Sequence, residues 1–201
     1  MVRDPGHAGS TVSDLDGLVA LYETRGREPY GEALTQTQHA LQCAALARRA
    51  GASDALVVAA LFHDVGHLVA DLQNDAAFTL AERDDDHELI GARVLAPLFG
   101  PAVALPVSLH VTAKRWRCTR EPHYFDLLSA ASRHTLVAQG GPLSEGQCRR
   151  FEAHPGFHAA LDLRSWDDQG KIEGLDVGAM SDYEELITTT AAAWSRARLE
   201  R

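Results

Sequence analysis

An apolar run of helical length, Ala55-Leu56-Val57-Val58-Ala59-Ala60-Leu61-Phe62, ends directly on His63-Asp64-Val65-Gly66-His67. A segment apolar on nearly every side belongs at the centre of a helical bundle. Ending it on an imidazole beside a carboxylate carries that pair towards the core, where an unpaired charge is strongly unfavourable. A bound cation is the natural partner for both groups. His39 upstream, with His87, His110 and Asp167 downstream, brings the donors to a number sufficient for two metal ions. A carboxylate between two cations can bridge them, leaving positions open for an oxygen ligand.

The remaining sequence also reads as helices. Ser13 is placed to cap a first helix carrying Leu15, Leu18 and Leu21 and ending near Gly26. A polar stretch over 27–36, containing Pro29 and Gly31, reads as a loop. The second helix spans about 35–50 with Gly51 as its stop, and Ser53 caps the apolar helix. Asp85 or Asp86 caps the next, which runs through Leu95 with His87 in its first turn. In a helix over about 102–116, Pro106 predicts a kink or a break before His110. Further helices are expected over about 124–139, 144–152, 157–168 and 182–199, with Ser144 and Gln147 forming a capping box. No stretch alternates as a strand does, so the expected class is all-α.

A chain of 201 residues, 45% hydrophobic and 23% charged, fits one globular domain over 1–201, with a flexible polar start over 1–10. The net charge of −9 argues against nucleic acid or an anionic membrane as partner. A small anion is not excluded, because a metal site sets its own local field. Cys43, Cys118 and Cys148 form no Cys-x-x-Cys pair and read as free thiols of a reducing compartment. With neither a signal-peptide pattern nor a membrane-spanning run, the expected location is cytoplasmic.

His39, His63-Asp64 and the distant Asp167 resemble the HD-domain superfamily of metal-dependent phosphohydrolases, and His87 and His110 match the extra pair of its two-metal members. A more specific likeness rests on Tyr30-Gly31-Glu32, Gln38-His39-Ala40-Leu41-Gln42 and His63-Asp64-Val65-Gly66-His67. It continues through His87-Glu88-x-x-Gly91, His110-Val111-x-Ala113-Lys114-Arg115, Gln139-Gly140-Gly141-Pro142 and Arg164-x-Trp166-Asp167-Asp168. In this order, over most of the chain, these motifs resemble the HD-domain mixed-valent diiron oxygenases of phosphonate catabolism, the PhnZ/TmpB type.

That resemblance implies an HD helical bundle with the metal site at its centre, a mixed-valent Fe(II)/Fe(III) pair and O₂ as co-substrate. The implied reaction is cleavage of the C–P bond of a 1-hydroxyphosphonate, such as 2-amino-1-hydroxyethylphosphonate or its N-methylated analogue. Its products are phosphate and a carboxylate of the glycine or glycine betaine type. By the same resemblance His39, His63, Asp64 and Asp167 hold one iron and Asp64, His87 and His110 the other, with Asp64 as bridge. Residues 27–36 become a lid whose Tyr30 yields an iron position to substrate, while Glu32 receives the substrate's cationic end.

Spacing suits the remaining assignments. His67 follows His63 by four residues, and Lys114 follows His110 by four, so each pair can share a helix face. Ser132 and Thr135 are three apart, and Arg164 precedes Asp167 by three. His67, Lys114, Ser132, Thr135 and Arg164 are therefore expected around the phosphonate, with catalytic roles for Asp64, His67 and Lys114. The competing reading is an HD-type phosphomonoesterase or nucleotidase on the same ligand set. A weaker one is a non-catalytic sensor domain. Tyr30, Glu32, His87, His110 and Lys114 favour the oxygenase. Nothing in the sequence indicates an oligomeric state.

Overall fold

The computed structural model describes residues 12–30, 34–72 and 86–200. The expected flexible start over 1–10, together with Glu32 and Asp85, lies outside them. Helices dominate the described residues, as the sequence led us to expect. The first, α1 (Leu15–Arg25), is capped one residue later than expected: Asp14, not Ser13, accepts the Gly17 amide at 2.8 Å. A carboxylate at that end also meets the positive pole of the helix.

After α1 the chain makes the one extended feature that the sequence did not suggest. Two-residue strands, β1 (Pro29–Tyr30) and β2 (Leu34–Thr35), pair antiparallel with Tyr30 opposite Leu34. Segments this short show no alternation, and tertiary packing rather than pattern forms them. Thr35 then opens α2 (Gln36–Arg49) through a capping box with Gln38.

Ser53 caps α3 (Asp54–Phe62) as expected, and every residue from Val57 to Phe62 is at most 3% exposed. This helix is the axis of the bundle, touching α2, α6 (Pro101–Arg120), α10 (Phe157–Gln169) and α11 (Glu184–Leu199). The chain turns at His63–Asp64 before α4 (Val65–Leu72), so His63 and His67 do not share one continuous helix as their spacing suggested. The helix α5 (His87–Phe99) starts behind Asp86, whose backbone is left-handed at φ 49° and whose side chain makes no capping bond.

Two other expectations are corrected. Pro106 neither breaks nor ends α6, which runs unbroken through His110. The carbonyl that Pro106 leaves without a donor belongs to Ala102, on an exposed first turn where water can satisfy it. The helix expected over 124–139 is two helices, α7 (Tyr124–Leu127) and α8 (Ala130–Ala138). Leu128 is extended, and Ser129 Oγ accepts the Ser132 amide at 3.2 Å, which starts a new helix there.

Beyond α8 lie α9 (Glu145–Glu152), with its Ser144–Gln147 capping box, then α10, a 3₁₀ turn (Met180–Tyr183) and α11. The main core surrounds α3, and a smaller one of Ala113, Leu143, Cys148, Phe151 and Ala160 joins α6, α9 and α10. All three cysteines are free. Among the described residues no helix is long and apolar enough to cross a membrane.

Candidate metal centre

The turn between α3 and α4 is where the bundle becomes polar. His63 and Asp64 occupy that turn; His39 reaches it from α2, His87 from the first residue of α5, His110 from α6 and Asp167 from α10. All six are buried, none more than 6% exposed.

Main-chain carbonyls orient three of the four imidazoles. His39 Nδ1 lies 2.8 Å from the Gly170 carbonyl, His63 Nδ1 3.0 Å from that of Ala60 and His110 Nδ1 2.8 Å from that of Val107. A carbonyl only accepts, so Nδ1 carries the proton and Nε2 is left as a bare lone pair. Yet His39 Nε2 and His63 Nε2 lie 3.3 Å apart, and His87 Nε2 and His110 Nε2 3.1 Å apart. A proton or a metal ion between the Nε2 atoms of His39 and His63 would satisfy both lone pairs, and the carboxylates beside them suit a metal ion.

Asp64 divides its oxygens between these two groups. Oδ2 is 3.3 Å from His63 Nε2 and 3.6 Å from His39 Nε2, whereas Oδ1 is 3.7 Å from the Nε2 atoms of both His87 and His110. Asp167 completes the first group, its Oδ1 lying 3.4 Å from His39 Nε2 and 3.9 Å from His63 Nε2. Donors bound to one ion at about 2.0–2.2 Å lie roughly 2.8–3.6 Å apart. Both groups come close to that spacing, so the donor set fits two cations sharing Asp64.

The titration behaviour agrees. Burial pulls His39 down, and burial with the neighbouring His87 holds His110 well below an ordinary imidazole. Burial would also lower His63, but Asp64, Asp167 and the Ala60 carbonyl together raise this ring. Burial would raise Asp64, yet His63, His67 and His87 hold it well below the usual carboxylate range. Ionised carboxylates among largely neutral rings form a site made for positive charge.

Two compact donor groups, His39–Cys43–His63 and Asp64–His67–His87, include residues beyond the six. Cys43 Sγ sits 3.6 Å from His39 Nε2 but donates to the Trp166 carbonyl at 3.5 Å, and burial pushes its pKa well up. It is a packed thiol, not a thiolate ligand. His67 stacks on His87 with ring centroids 3.9 Å apart, which puts it at the rim of the second group.

Around the six, the structure places most of the other expected residues. The β1–β2 pairing holds Tyr30 flat on His39, with centroids 3.9 Å apart and planes 10° from parallel. The Tyr30 hydroxyl lies 3.5 Å from Asp167 Oδ1, and burial pushes its pKa well up. Lys114 is buried on α6, one turn past His110, and donates to Thr135 Oγ1 at 3.1 Å. Thr135 donates to the Ser132 carbonyl at 3.3 Å, and Ser132 faces inward beside Ser129. Burial, helped by Arg164, lowers the Lys114 pKa to about 8.

Arg164 is placed differently from a simple anion contact. Nη1 donates to Asp167 Oδ2 at 2.6 Å, Nη2 to Asp168 and Nε to the Tyr124 hydroxyl at 3.0 Å. Burial would raise the Asp167 carboxyl, but Arg164 and Lys171 hold it well below its usual range. Arg164 thus acts on the centre through Asp167.

Tyr124 and Lys171 were missed from sequence, whereas Gly66, Arg115, Gly140 and Gly141 stood in its motifs without a role. Tyr124 anchors Arg164, and nothing in its local sequence signalled that. Lys171, whose Nζ is 3.1 Å from Asp167 Oδ1, follows that aspartate by four residues, a spacing that could have flagged it. Gly66 lets α4 approach the His87 backbone, since a Cβ there would sit 1.9 Å from the His87 carbonyl oxygen. Arg115 holds the carbonyls of Gly140 and Gly141 at 3.2 and 2.7 Å. Those two residues turn the chain with φ of 88° and 67°, a conformation suited to glycine.

Comparison with known proteins places this centre in context. Residues 37–142 match the HD-domain family. The chain is 42% identical to a hydroxymethylphosphonate dioxygenase of Gimesia maris over 173 residues, 86% of each chain. It is 36% identical over 165 residues, 81% of each chain, to the glycine-betaine-forming 1-hydroxy-2-(trimethylamino)ethylphosphonate dioxygenase of Leisingera caerulea. An uncharacterised protein of Acanthamoeba polyphaga mimivirus is 34% identical over 178 residues, 88% of this chain and 81% of that one.

Proposed function

The chain belongs to the HD-domain family, and from that premise we propose that it is an oxygenase acting on small 1-hydroxyphosphonates. The reaction joins O₂ to the substrate, breaks the C–P bond and releases a carboxylate and inorganic phosphate. For hydroxymethylphosphonate the products are formate and phosphate, and all atoms are accounted for. The single observation that carries this reading is Asp64 facing two separate histidine groups with its two oxygens, in a chain with two relatives named as hydroxyphosphonate dioxygenases.

We assign two irons to this donor set, one to His39, His63, Asp64 and Asp167 and one to Asp64, His87 and His110. A mixed-valent pair supplies, when bound, the redox chemistry that couples O₂ reduction to oxidation at C1. The chain's own residues do the rest. Lys114 offers an ammonium to the phosphonate oxygens, and Ser132 and Thr135 add hydroxyl donors beside it. Tyr30 covers His39 and restricts water until substrate enters. His67, stacked on His87, lines the second group, and Arg164 keeps Asp167 ionised and aimed inward.

The test is turnover by iron-loaded protein of hydroxymethylphosphonate, 2-amino-1-hydroxyethylphosphonate and its N-methylated analogues. One O₂ consumed per phosphate released is expected with at least one of them. Phosphate release from an ordinary phosphomonoester under anoxia with Mg²⁺ or Mn²⁺, and none from the hydroxyphosphonates in air, would establish the hydrolase instead.

A further inference from the structure

The two oxygens of Asp167 serve different neighbours. Oδ2 is taken by Arg164 at 2.6 Å, whereas Oδ1 faces His39 at 3.4 Å, the Tyr30 hydroxyl at 3.5 Å and Lys171 Nζ at 3.1 Å. Lys171 also lies over the Tyr30 ring, 5.6 Å from its centroid. Its side chain is 21% exposed, so the ammonium reaches the centre from the rim.

The backbone beneath it is fixed to the same centre. Gly170, the preceding residue, gives its carbonyl to His39 Nδ1, and a Cβ on Gly170 would stand 2.6 Å from Cys43 Sγ. The backbone that carries Lys171 is therefore anchored, while its four-carbon stem can swing.

The three cations near the centre are not equally committed. Arg164 directs three donors to Asp167, Asp168 and Tyr124, and Lys114 donates to Thr135. Among the described residues Lys171 makes one ion pair, and with the very oxygen that a cation among His39, His63 and Asp167 would take. A cation held by His39, His63 and Asp167 would weaken that pair and repel the ammonium. An oxyanion arriving where the Tyr30 hydroxyl sits restores a partner to it.

We propose that Lys171 is a further substrate-binding residue, a rim cation that exchanges Asp167 and Tyr30 for the anionic oxygens of the bound phosphonate. This rests on the hydroxyphosphonate reading above. It assigns the anion a second ammonium on the Tyr30 side, in addition to Lys114 on α6, so two charges hold the substrate as Tyr30 leaves.

The experiment is calorimetric titration of metal-loaded protein, under anoxia, with hydroxymethylphosphonate and with inorganic phosphate, on the wild type, Lys171→Met and Lys171→Arg. Metal content is measured on each sample. Loss of a charged hydrogen bond predicts roughly tenfold to hundredfold weaker binding in Lys171→Met, with Lys171→Arg close to wild type. In turnover, KM rises by a similar factor while kcat changes little. Unchanged affinity in Lys171→Met at full metal content would overturn the proposal. So would loss of metal from Lys171→Met, which would make Lys171 a support for Asp167. If the wild type itself binds neither anion, it is the hydroxyphosphonate reading that fails.

Discussion

Tyr30 lies flat on His39, ring centroids 3.9 Å apart, with its hydroxyl 3.5 Å from Asp167 Oδ1. The phenol therefore shields two residues of one metal group at once. Tyr30→Phe keeps the stack and loses only the hydroxyl contact, so turnover is expected to stay within about threefold of wild type. Tyr30→Ala uncovers the ring, and O₂ consumption is expected to exceed phosphate release. An oxygen electrode run beside a phosphate assay reads the ratio; one-to-one coupling in Tyr30→Ala would remove Tyr30 from the role of lid.

Asp64 is shared by both histidine groups, and its replacement reaches further than that of any single histidine. Asp64→Ala is expected to lose both ions, whereas His110→Ala keeps the one between His39, His63 and Asp167. Elemental analysis of the purified variants decides. Two ions per chain retained by Asp64→Ala would refute the bridging assignment.

The Lys114 pKa of about 8 sets an alkaline limit. The ammonium, present below that value, attracts the phosphonate; above it the neutral amine does not. The apparent kcat/KM should accordingly fall as pH rises through about 8, and Lys114→Arg should move the fall to higher pH. Lys114→Met is expected to raise KM by roughly tenfold to a hundredfold at neutral pH. A pH–rate profile identical in wild type and Lys114→Arg would assign the limit to another group.

Tyr124 and Arg164 form a buried pair that supports Asp167 from behind. Tyr124→Phe removes a hydroxyl that accepts from Arg164 and donates to Asp168 at 2.5 Å, and should cost about 1–3 kcal/mol of stability. Arg164→Met leaves Asp167 without its closest cation and should cost about 3–5 kcal/mol. Urea denaturation of the metal-free proteins measures both. Equal stability of Arg164→Met and wild type would show that the network carries little of the fold.

Gly66 is the contact between α4 and the start of α5. Gly66→Ala puts a Cβ against the His87 carbonyl oxygen, 1.9 Å away without adjustment, and one of the two must move. Overpacking of this kind costs about 1–3 kcal/mol, and His87 is one of the residues we assign to the second ion. The variant should fold, bind the first ion and bind the second weakly; stoichiometric tight binding of two ions would show that α5 shifts as a unit.

Part of this centre was legible because His63-Asp64 sits where the sequence contradicts itself, a charged pair directly after eight apolar residues. The axis position of α3 followed from the same apolar run. Other features depend on partners distant in sequence. Tyr124 meets Arg164 from another helix, and Lys171 meets Tyr30 only because the short β1–β2 pairing folds back over α2. The unbroken α6 was unreadable for a different reason: Pro106 is tolerated because the orphaned carbonyl faces outward, which depends on the tertiary orientation of the helix.

The imidazoles of His39, His63 and His110 take their orientation from main-chain carbonyls, at Gly170, Ala60 and Val107. Carboxylates that orient histidines elsewhere can be lost by one substitution and can titrate; a peptide oxygen does neither. The aim of these rings is therefore inherited from the helix path itself. Acid reaches these rings by placing a proton on Nε2, the same atom that a metal ion would take, so proton and metal would compete atom for atom. At 170 the packed Cys43 would stand 2.6 Å from a Cβ, so the carbonyl that aims His39 depends on glycine.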